Sequence, residues 1–576
     1  MHDLVVKGAL LVDGNGVPPR PADVAVDDGV FTEVAAPGAL DDASARRTVD
    51  ADGLTMTPGF VDLHTHYDGQ ATWDPLLTPS CWHGVTTVVM GNCGVGFAPV
   101  HPGEEDFLIQ LMESVEDIPG TALSEGITWG WETFPQFLDA LETMPRVMDI
   151  GAQVPHSAVR AYVMGERGAR NEPATPEDIA AMAAIVREGI QAGALGFSTS
   201  RTIMHRALDG EPVPGTFAAE DELFGIGAVL GELGAGLFEL APAGVMGEDL
   251  SAPEREVAWM RRLSASINRP ISFGLSQHNL DPDQWRDVLR LAQEATADGA
   301  VLRAQVAGRP LNMLIGLQTF HPFVMRPTYQ KVAALPLDQR VAELRRPEVR
   351  AAILAEGDPD NPLMKVVQTR YDRVFVIGDP PDYEPAPEQS VAAIAAREGR
   401  AEEDVMYDLM LEDDGKVLLM HALLGYSYGN LDDMREMILS PNAALGLSDG
   451  GAHVGAICDA SIPTFMLTHW TRDRSRGERL PIELVVQKQS RDTAHLYGLR
   501  DRGVVAPGLR ADLNLIDYDA LRLHRPELVH DLPGGARRLV QKADGYVATF
   551  VAGEQTWANG DDTGARPGKL VRGARG

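Results

Sequence analysis

In the stretch PGFVDLHTHYDGQ, residues 58–70, a short apolar run ends in two histidines one residue apart. Alternate residues of an extended strand point to the same side, so His64 and His66 could converge on one metal ion. The run places both histidines at the carboxyl end of a predicted strand, which is where the catalytic residues of barrel enzymes lie. The pair alone is weak evidence, since 15 histidines in 576 residues make one such pair nearly a chance event. The two side chains could instead pack beneath a loop.

Short apolar runs of the same kind recur along the chain, several of them followed by a helical pattern such as residues 176–192, with Thr175 as the N-cap, and 283–297. Continuous apolar runs that alternate with helices are typical of buried parallel strands. Eight such runs favour an α/β fold of the (β/α)8 TIM-barrel type. The predicted strands are residues 60–64, 86–92, 148–154, 194–198, 236–240, 271–276, 300–306 and 445–449.

Both ends of the chain alternate apolar and polar residues between Gly and Asp turns, which indicates one small β-sandwich domain built from the two termini. The gap between the seventh and eighth runs is too long for one crossover and contains helical stretches and the apolar run 416–421, so we expect an inserted subdomain near the active-site mouth. The predicted segments are 1–57 for the first part of the sandwich, 58–306 and 445–500 for the barrel, 307–444 for the insertion, and 501–576 for the second part of the sandwich and a C-terminal tail.

The composition excludes several classes of protein. A formal net charge of −33 argues against nucleic acid as a partner, since phosphate binding requires clustered Lys and Arg. Three cysteines are too few and too scattered for a disulfide framework. The chain starts without the pattern of a signal peptide, and no run approaches the roughly 20 apolar residues of a membrane span. We therefore expect a cytoplasmic protein that does not contact membranes.

Two further residues at strand ends could join the histidine pair. Cys93 closes the apolar strand in TTVVMGNCGVGFAP, and beside a divalent ion its thiolate would be a strong ligand. Asp449 ends a late apolar run in ALGLSDGGAH, where a carboxylate could act as general base. The alternatives are a small buried cysteine and an ordinary Asp-Gly turn.

Taken together, PGFVDLHTHYDGQ, GVTTVVMGNCGVGFAP, GALGFSTS, LSDGGAH and LYGLRDRGVVAPGLRADLNLID resemble the amidohydrolase superfamily, and within it the D-aminoacylase (N-acyl-D-amino-acid deacylase) branch. The resemblance runs from about residue 3 to 560, with the motifs in the family's order. It implies a metal-dependent (β/α)8 barrel with a β-sandwich, and one or two Zn²⁺ ions as cofactor. It also implies hydrolysis of an amide bond in a small-molecule substrate, most specifically an N-acyl-D-amino acid.

By the same resemblance, His64 and His66 are the first metal-binding pair, Cys93 replaces the carboxylated lysine found elsewhere in the superfamily, and Asp449 is both ligand and proton acceptor. The chain departs from the family pattern at two strand ends. Glu239 stands where a histidine is usual on the fifth strand, and either Gln277 or His278 falls at the ligand position of the sixth. Glu239 could ligate through its carboxylate or be a buried, hydrogen-bonded acid.

Two residues are candidates for substrate binding. Arg201 could pair with a substrate carboxylate, with Arg309 and Arg373 as rivals, and His156 ends the third strand at a position that faces the pocket in the family. Alternative functions are hydrolysis of a cyclic amide, as in hydantoinases, and a barrel that has lost catalysis and serves as a binding or scaffold protein. Large acidic barrels of this kind are often homo-oligomers, so oligomerisation is possible.

Overall fold

The computed structural model describes residues 1–41, 45–357 and 370–574. The predicted sandwich segments 1–57 and 501–576 and the predicted insertion 307–444 contain residues 42–44, 575–576 and 358–369, which lie outside the described residues. All structural statements below concern the described part of the chain.

Eight parallel strands form one curled sheet in the middle of the chain, each hydrogen-bonded to the next in sequence. Nearly every residue in them is buried, as expected for strands covered on both faces. Each strand overlaps one of the eight predicted runs, so the predicted TIM-barrel fold is confirmed. The strands are β6 (Phe60–Asp62), β7 (Val85–Met90), β8 (Asp149–Pro155), β9 (Gly196–Ser200), β10 (Leu237–Ala241), β11 (Ile271–Gly274), β12 (Leu302–Val306) and β16 (Ala443–Leu445).

The barrel closes at the carboxyl ends of its first and last strands. Thr65 bridges Gly450 in parallel, and the His66 N–H donates to the Gly450 carbonyl at 2.8 Å. On the other side, the Thr65 N–H donates to the Val89 carbonyl at 3.0 Å. The backbone between the two predicted metal-binding histidines is therefore held from both neighbouring strands.

Helices pack around the sheet between successive strands. The helix Pro176–Ala192 shows how the sequence sets their ends: Thr175 caps it through a capping box with Asp178, and Gly193 ends it in the left-handed region at φ 112°. No helix in the described ranges has the length and apolarity needed to cross a membrane. The helices of the barrel layers are Glu105–Glu116, Gly120–Gly126, Phe134–Glu142, His156–Met164, Glu166–Ala169, Pro176–Ala192, Glu220–Leu233, Ala252–Ile267, Gln284–Ala297, Ile462–Phe465 with its π-helical continuation Met466–Asp473, Ile482–Gln489 and Arg491–Leu496.

Strands from the two chain ends build a second, nine-stranded sheet with its own apolar core. Its central strand, β5, pairs with β1 on one side and with β17 on the other, and Gly59 alone separates it from the first barrel strand. The strands are β1 (His2–Leu11), β2 (Arg20–Asp27), β3 (Val30–Ala35), β4 (Ala45–Asp50), β5 (Thr55–Pro58), β17 (Leu513–Ile516), β22 (Tyr546–Val551), β23 (Glu554–Ala558) and β24 (Asp561–Asp562). Two short hairpins accompany them, β18 (Arg522–Leu523) with β21 (Ala543–Asp544) and β19 (Glu527–Val529) with β20 (Arg538–Val540).

The insertion lies between β12 and β16, late in the barrel as the sequence predicts. It contains an antiparallel sheet, in which β15 is central, and a separate apolar core. The strands are β13 (Leu311–Ile315), β14 (Val374–Val376) and β15 (Leu419–Leu424). Its helices are Pro327–Gln330, Leu337–Leu344, Pro347–Ala355, Val391–Glu398, Glu402–Met410 and Asp432–Leu439.

The last described residues, 566–574, run along the amino-terminal base of the barrel; we call this segment the tail. The Ile150 N–H donates to the Lys569 carbonyl at 3.0 Å, and the Val571 N–H donates to the Ile150 carbonyl at 2.7 Å. Asp149 accepts from the Lys569 N–H at 2.8 Å and also from Arg502 and Arg510. The tail is thus paired with the start of β8.

Candidate active site

The first donor of the site is His64, which follows β6. Its Nδ1 lies 2.6 Å from the Gln305 Oε1 on β12, and the Gln305 amide nitrogen in turn donates to the Ser272 Oγ at 3.0 Å. Because the Gln305 oxygen can only accept, His64 carries its proton on Nδ1. Its Nε2 is therefore a free lone pair, aimed at the carboxyl ends of the strands.

Cys93 comes to the same point from the end of β7. Its Sγ lies 3.4 Å from the His64 Nε2, and its backbone adopts the left-handed conformation at φ 54°. The Cys93 N–H donates to the Glu239 Oε2 at 3.0 Å, which holds this turn against the fifth barrel strand. Backbone conformations of this kind are kept only where the surrounding structure enforces them, and they cluster at functional sites.

Asp449 completes the group from the loop after β16, also in the left-handed region, at φ 48°. Its Oδ1 lies 3.5 Å from the His64 Nε2 and 3.7 Å from the His66 Nε2. Four ligands at about 2.0–2.3 Å from a tetrahedral zinc ion lie about 3.3–3.8 Å from one another. These separations, and the 3.4 Å between Cys93 and His64, are those of ligands around one ion.

The buried ring of His66 supports the same interpretation. Neither of its nitrogens has a hydrogen-bond partner within the described residues, although the side chain is only 1% exposed. Buried polar groups are rarely left unpaired without a functional reason. One donor atom each from His64, His66 and Cys93 lie within 4.8 Å of one another, so the residues present fit a divalent ion.

The electrostatics of the cluster also match a cation site. Burial raises the pKa of the Cys93 thiol well above its ordinary value, and the carboxylates of Glu239, Glu116 and Asp449 raise it further. Burial lowers the pKa of His66 to about 4, so this imidazole is neutral at pH 7. In such acidic surroundings, a Cys93 thiolate is stable only beside a cation, and the neutral imidazoles are ready to ligate one.

Asp449 differs from the other acids of the site. Burial alone would raise its pKa, but contact with His66 and the nearby imidazoles of His64 and His453 outweigh burial, so the pKa lies below its ordinary value. Asp449 is therefore ionised at neutral pH, as a proton acceptor must be.

Glu239 lies on β10, fully buried. Besides the bond from Cys93, its Oε1 has no hydrogen-bond partner within the described residues and lies 3.9 Å from the His64 Nδ1. Burial, with a smaller contribution from the Asp449 charge, raises the pKa of Glu239 to about 8. Glu239 is thus placed beside the cluster, with its carboxylate engaged by the Cys93 turn.

The sixth strand contributes no donor to the cluster. His278 is directed away from it: its Nε2 contacts the Gln284 Oε1 at 3.0 Å, and its Nδ1 accepts from the Asp281 N–H at 3.2 Å. Gln277 lines the cavity, but its amide is bound to Asp433 and to the Ser427 N–H. We therefore leave His278 out of the proposed ligand set; the chain turns away after β11 and carries its side chain to the following helix.

The predicted substrate-binding residues are likewise held elsewhere. The Arg201 guanidinium donates to Glu256 at 2.9 Å and to the Ala218 carbonyl at 2.9 Å. His156 is enclosed between Thr199 and Glu222, and Arg160 donates two hydrogen bonds to the same Glu222. None of these side chains lines the cavity that contains the cluster. We do not propose Arg201 or His156 as substrate ligands.

The rival arginines are also engaged. Arg309 reaches the cavity wall, but its guanidinium donates to Asp459 at 2.7 Å and to Ser461 at 3.0 Å. Arg373 donates to the carbonyls of Tyr426 and Ser427. Both guanidinium groups therefore have structural partners.

A cavity of about 290 Å³ opens above the cluster. Its floor is polar and its upper wall apolar, with the insertion supplying Leu311, Leu423, Met434 and Met437. Sequence reasoning missed three polar residues of the site: Glu116 and His205, which line the cavity, and Gln305, which contacts the His64 ring. It left His453 unassigned. Glu116 ends a helix and His205 follows a strand by five residues, so neither stands directly at the end of an apolar run.

The fold and the strand-end cluster together define the class of barrel hydrolases with a metal-binding floor. A family model described as Amidohydrolase family matches residues 47–560. The chain belongs to this family. It is a hydrolytic enzyme that acts on amide bonds other than peptide bonds, and family and donor cluster together support the use of metal.

Similar proteins cover almost the whole chain. A Mycobacterium tuberculosis protein described as uncharacterized is 28% identical over 97% of this chain and 92% of its own length. An N-acyl-D-aspartate deacylase of Alcaligenes xylosoxydans xylosoxydans is 26% identical over 99% of this chain and 95% of its own. The structure of an N-acyl-D-glutamate deacylase of Bordetella bronchiseptica, complexed with zinc and a phosphonate inhibitor, superposes with a TM-score of 0.64 at 22% identity, covering 99% of both chains. This superposition establishes the shared fold.

Proposed function

We propose that this enzyme hydrolyses N-acyl-D-amino acids, with one zinc ion bound by His64, His66, Cys93 and Asp449. The observation that carries the proposal is the group of donor separations of 3.4–3.7 Å at the carboxyl ends of β6, β7 and β16. The deacylases of N-acyl-D-aspartate and N-acyl-D-glutamate among the similar proteins support the substrate class. The zinc in the complex of the second enzyme supports the choice of metal.

One ion is proposed because, among the residues that the structure describes, the only cluster of metal-binding donors is that of His64, His66 and Cys93. Glu239 replaces the histidine expected at the end of β10 and is engaged by the Cys93 N–H. The end of β11 presents Gly274, Leu275 and Ser276 to the cavity, and His278 faces the following helix. Imidazole, thiolate and carboxylate are all usual zinc ligands, and expansion to five-coordination would admit water or substrate beside these four.

When bound, the zinc ion would polarise the scissile carbonyl and make water more acidic. The chain's own residues supply proton transfer. Asp449 is ionised and can take a proton from the attacking water, then deliver it to the amine nitrogen as the C–N bond breaks. The apolar upper wall would exclude bulk water from the reacting atoms and receive the apolar part of the substrate.

The test is a comparison of Asp449→Asn with the wild type on N-acyl-D-amino acids, N-acyl-L-amino acids and cyclic amides. We expect the wild type to act on the first class and the variant to lose at least about 100-fold in kcat, because general-base catalysis contributes about 10²–10⁴. Metal content should stay near one zinc per chain in both, since the Asn oxygen keeps the ligand position.

Asp459→Asn is a matched control, because Asp459 lies in the same segment but is paired with Arg309. This control should keep most of the activity if it folds. Full activity in Asp449→Asn would contradict the assignment of the base. A wild type that hydrolyses only cyclic amides would replace the substrate class, and less than about a tenth of an equivalent of zinc would favour a binding or scaffold role.

A further inference from the structure

Glu116 is a buried carboxylate that neither the motifs nor the proposed ligand set uses. It is the last residue of the helix Glu105–Glu116, and the following Asp117 ends this helix in the left-handed conformation at φ 50°. The Glu116 residue is 1% exposed, and its Oε1 has no hydrogen-bond partner within the described residues. Burial of a carboxylate in this way lowers the stability of the protein unless a cation or a hydrogen-bond donor pairs with the carboxylate.

The group nearest to this oxygen is a proposed metal ligand. The Glu116 Oε1 lies 3.4 Å from the His66 Nδ1, while the His66 Nε2 faces Asp449 at 3.7 Å. The arrangement parallels that of His64, whose Nδ1 lies 2.6 Å from the Gln305 Oε1 and whose Nε2 faces Cys93. In both rings, one nitrogen is directed at an oxygen acceptor and the other at the cluster.

We infer that Glu116 is a positioning residue of the metal centre, which accepts the Nδ1 proton of His66 and so directs the Nε2 lone pair at the ion. The inference rests on the proposed function, since it needs the metal to bind at this cluster. A metal-bound histidine usually donates its second N–H to a carboxylate or carbonyl, which fixes the tautomer and makes the ring a stronger ligand.

A second set of contacts joins Glu116 to the loop that carries Asp449. The Glu116 Oε2 lies 3.6 Å from the His453 Nε2, and the His453 N–H donates to the Glu116 carbonyl. The neighbouring Asp117 accepts from the Gly455 N–H at 3.1 Å. The end of this helix therefore contacts one ligand directly and fastens the loop that bears another, so it sets the position of His66 relative to Asp449.

The two forms of the protein should respond in opposite ways to loss of this charge. In metal-free protein, Glu116 is buried near the ionised carboxylate of Asp449, with no cation to balance the two acids. Glu116→Gln should therefore leave the metal-free protein at least as stable as the wild type. In metal-loaded protein, the same change weakens the hold on the ion. A merely structural role would instead lower the stability of both forms.

The experiment measures the zinc dissociation constant of Glu116→Gln by competition with a chelator, together with Tm in the metal-free and zinc-loaded forms. We expect binding about 10–100-fold weaker than wild type, the range typical of such partners. The zinc-induced rise in Tm should shrink accordingly, with an unchanged or higher Tm without metal. The visible absorption of the Co²⁺-substituted variant should also change, because the ligand geometry is less constrained.

Glu104→Gln removes an exposed charge just before the same helix and should leave all three measurements unchanged. Glu116→Asp keeps the charge but shortens the side chain by one methylene, so zinc binding should weaken to a smaller extent. This variant provides the test if Glu116→Gln does not fold. Because Glu116→Gln keeps an oxygen that can accept the His66 proton, as Gln305 does for His64, the deciding variant is Glu116→Leu. Wild-type zinc affinity and Co²⁺ spectrum in folded Glu116→Leu would overturn the inference. A wild type that binds no zinc at all would instead overturn the proposed function.

Discussion

At the scale of single residues, the site depends on backbone conformations that most side chains avoid. Cys93 and Asp449 are both at positive φ, and Gly94 follows Cys93 at φ +70°. Such residues cost roughly 1–3 kcal/mol each unless they are glycine. These two strained residues are the ones whose donor atoms face His64. The backbone strain therefore lies at the candidate active site.

Cys93→Ala should remove one of the proposed direct ligands and therefore weaken zinc binding by more than the ~10–100-fold typical of an outer partner. Isothermal titration or chelator competition would measure the loss. Cys81→Ala is the matched control, because Cys81 is equally buried but belongs to the apolar core. Equal zinc affinity of Cys93→Ala and wild type would exclude Cys93 from the ligand set.

Gly94→Ala should destabilise the turn that carries Cys93. An added Cβ would lie 2.8 Å from the Ser200 backbone nitrogen and from the Thr199 Cα, which is closer than real contacts allow. We expect the free energy of unfolding to fall by more than about 1 kcal/mol and zinc binding to weaken, as measured by urea unfolding and zinc titration. Gly53→Ala is the control: φ there is also positive, at +78°, but no atom lies within 4 Å, so its effect should be smaller.

The sequence alone locates some site residues and not others, for a physical reason. His64, Cys93 and Asp449 are found because each directly follows an apolar run, and parallel strands bring their carboxyl ends together. Glu116 and His205 lie on a helix end and within a loop, whose paths depend on tertiary packing. The sequence leaves open whether Gln277 or His278 faces the metal, because the backbone beyond β11 leaves the extended conformation and the alternation of side chains no longer applies.

At the scale of elements, the insertion forms the apolar wall of the cavity and is fastened to the barrel by a buried ionic cluster. Glu384 accepts two hydrogen bonds from Arg474 at 3.0 Å, one from the Leu431 N–H at 2.9 Å, and contacts His469 at 3.0 Å. Leu431 immediately precedes the helix that places Met434 and Met437 in the cavity wall. The cluster therefore fixes the wall relative to the π-helical segment after the eighth strand.

This cluster should make stability depend on pH in the acid range. Burial would raise the pKa of Glu384, but the hydrogen bonds from His469 and Arg474 outweigh it and lower the pKa to about 2. Because the unfolded carboxyl titrates near 4.3, its stabilisation is complete above about pH 5 and is lost as the pH falls toward 2. Glu384→Gln should lose on the order of 3 kcal/mol at pH 7, and the difference from wild type should shrink below pH 4.

Urea unfolding of both proteins between pH 3 and pH 7 measures this difference. Glu388→Gln, at an exposed position of the same segment, should follow the wild type at every pH. A Glu384→Gln deficit that stays constant from pH 7 to pH 3 would mean that the side chain contributes packing and not charge.

Element prediction succeeds where a segment is long and its neighbours in sequence are its neighbours in space. The helix Pro176–Ala192 agrees with its predicted bounds, since its cap residues and apolar period are local. The short strands β13 and β14 of the insertion were not predicted. They are five and three residues long and pair only with the distant β15, so their conformation is set by partners that no local pattern reveals.

At the scale of the whole molecule, the two chain ends and the barrel are interlocked. The predicted barrel, β domain and late insertion correspond to the observed architecture. The patterns behind them, which are the β/α alternation of the barrel and the alternating apolar and polar residues at both chain ends, are repeated over many residues. The sequence predicts a C-terminal tail after the second part of the sandwich, but not where that tail lies. Its pairing with β8 depends on single backbone hydrogen bonds and the carboxylate of Asp149, which leave no periodic signal.

Deletion of residues 566–576 should destabilise the protein without removing any site residue. The tail donates or accepts several backbone hydrogen bonds at the base of the barrel and buries Leu570. With about 0.5–1.5 kcal/mol for each bond, we expect a loss of about 2–5 kcal/mol in the free energy of unfolding, measured by urea titration. Zinc content of the folded fraction should stay unchanged.

Lys569→Ala serves as the control, because its exposed side chain is lost while its backbone hydrogen bonds remain. It should unfold at the wild-type urea concentration. A tail deletion as stable as wild type would show that the pairing with β8 contributes nothing to the folded state.

The position of β5 between β1 and β17 has a consequence for biosynthesis. About 450 residues separate Pro58 from Leu513, so at roughly 5–20 residues per second the partner strand is translated some 20–90 s later. During that interval one edge of β5 has no partner strand, although all four residues of β5 are buried in the folded protein. An unpaired strand edge of this kind can pair with the wrong segment or with another chain. Recombinant yield of this enzyme should therefore respond to translation speed and chaperone supply more strongly than its equilibrium stability would suggest.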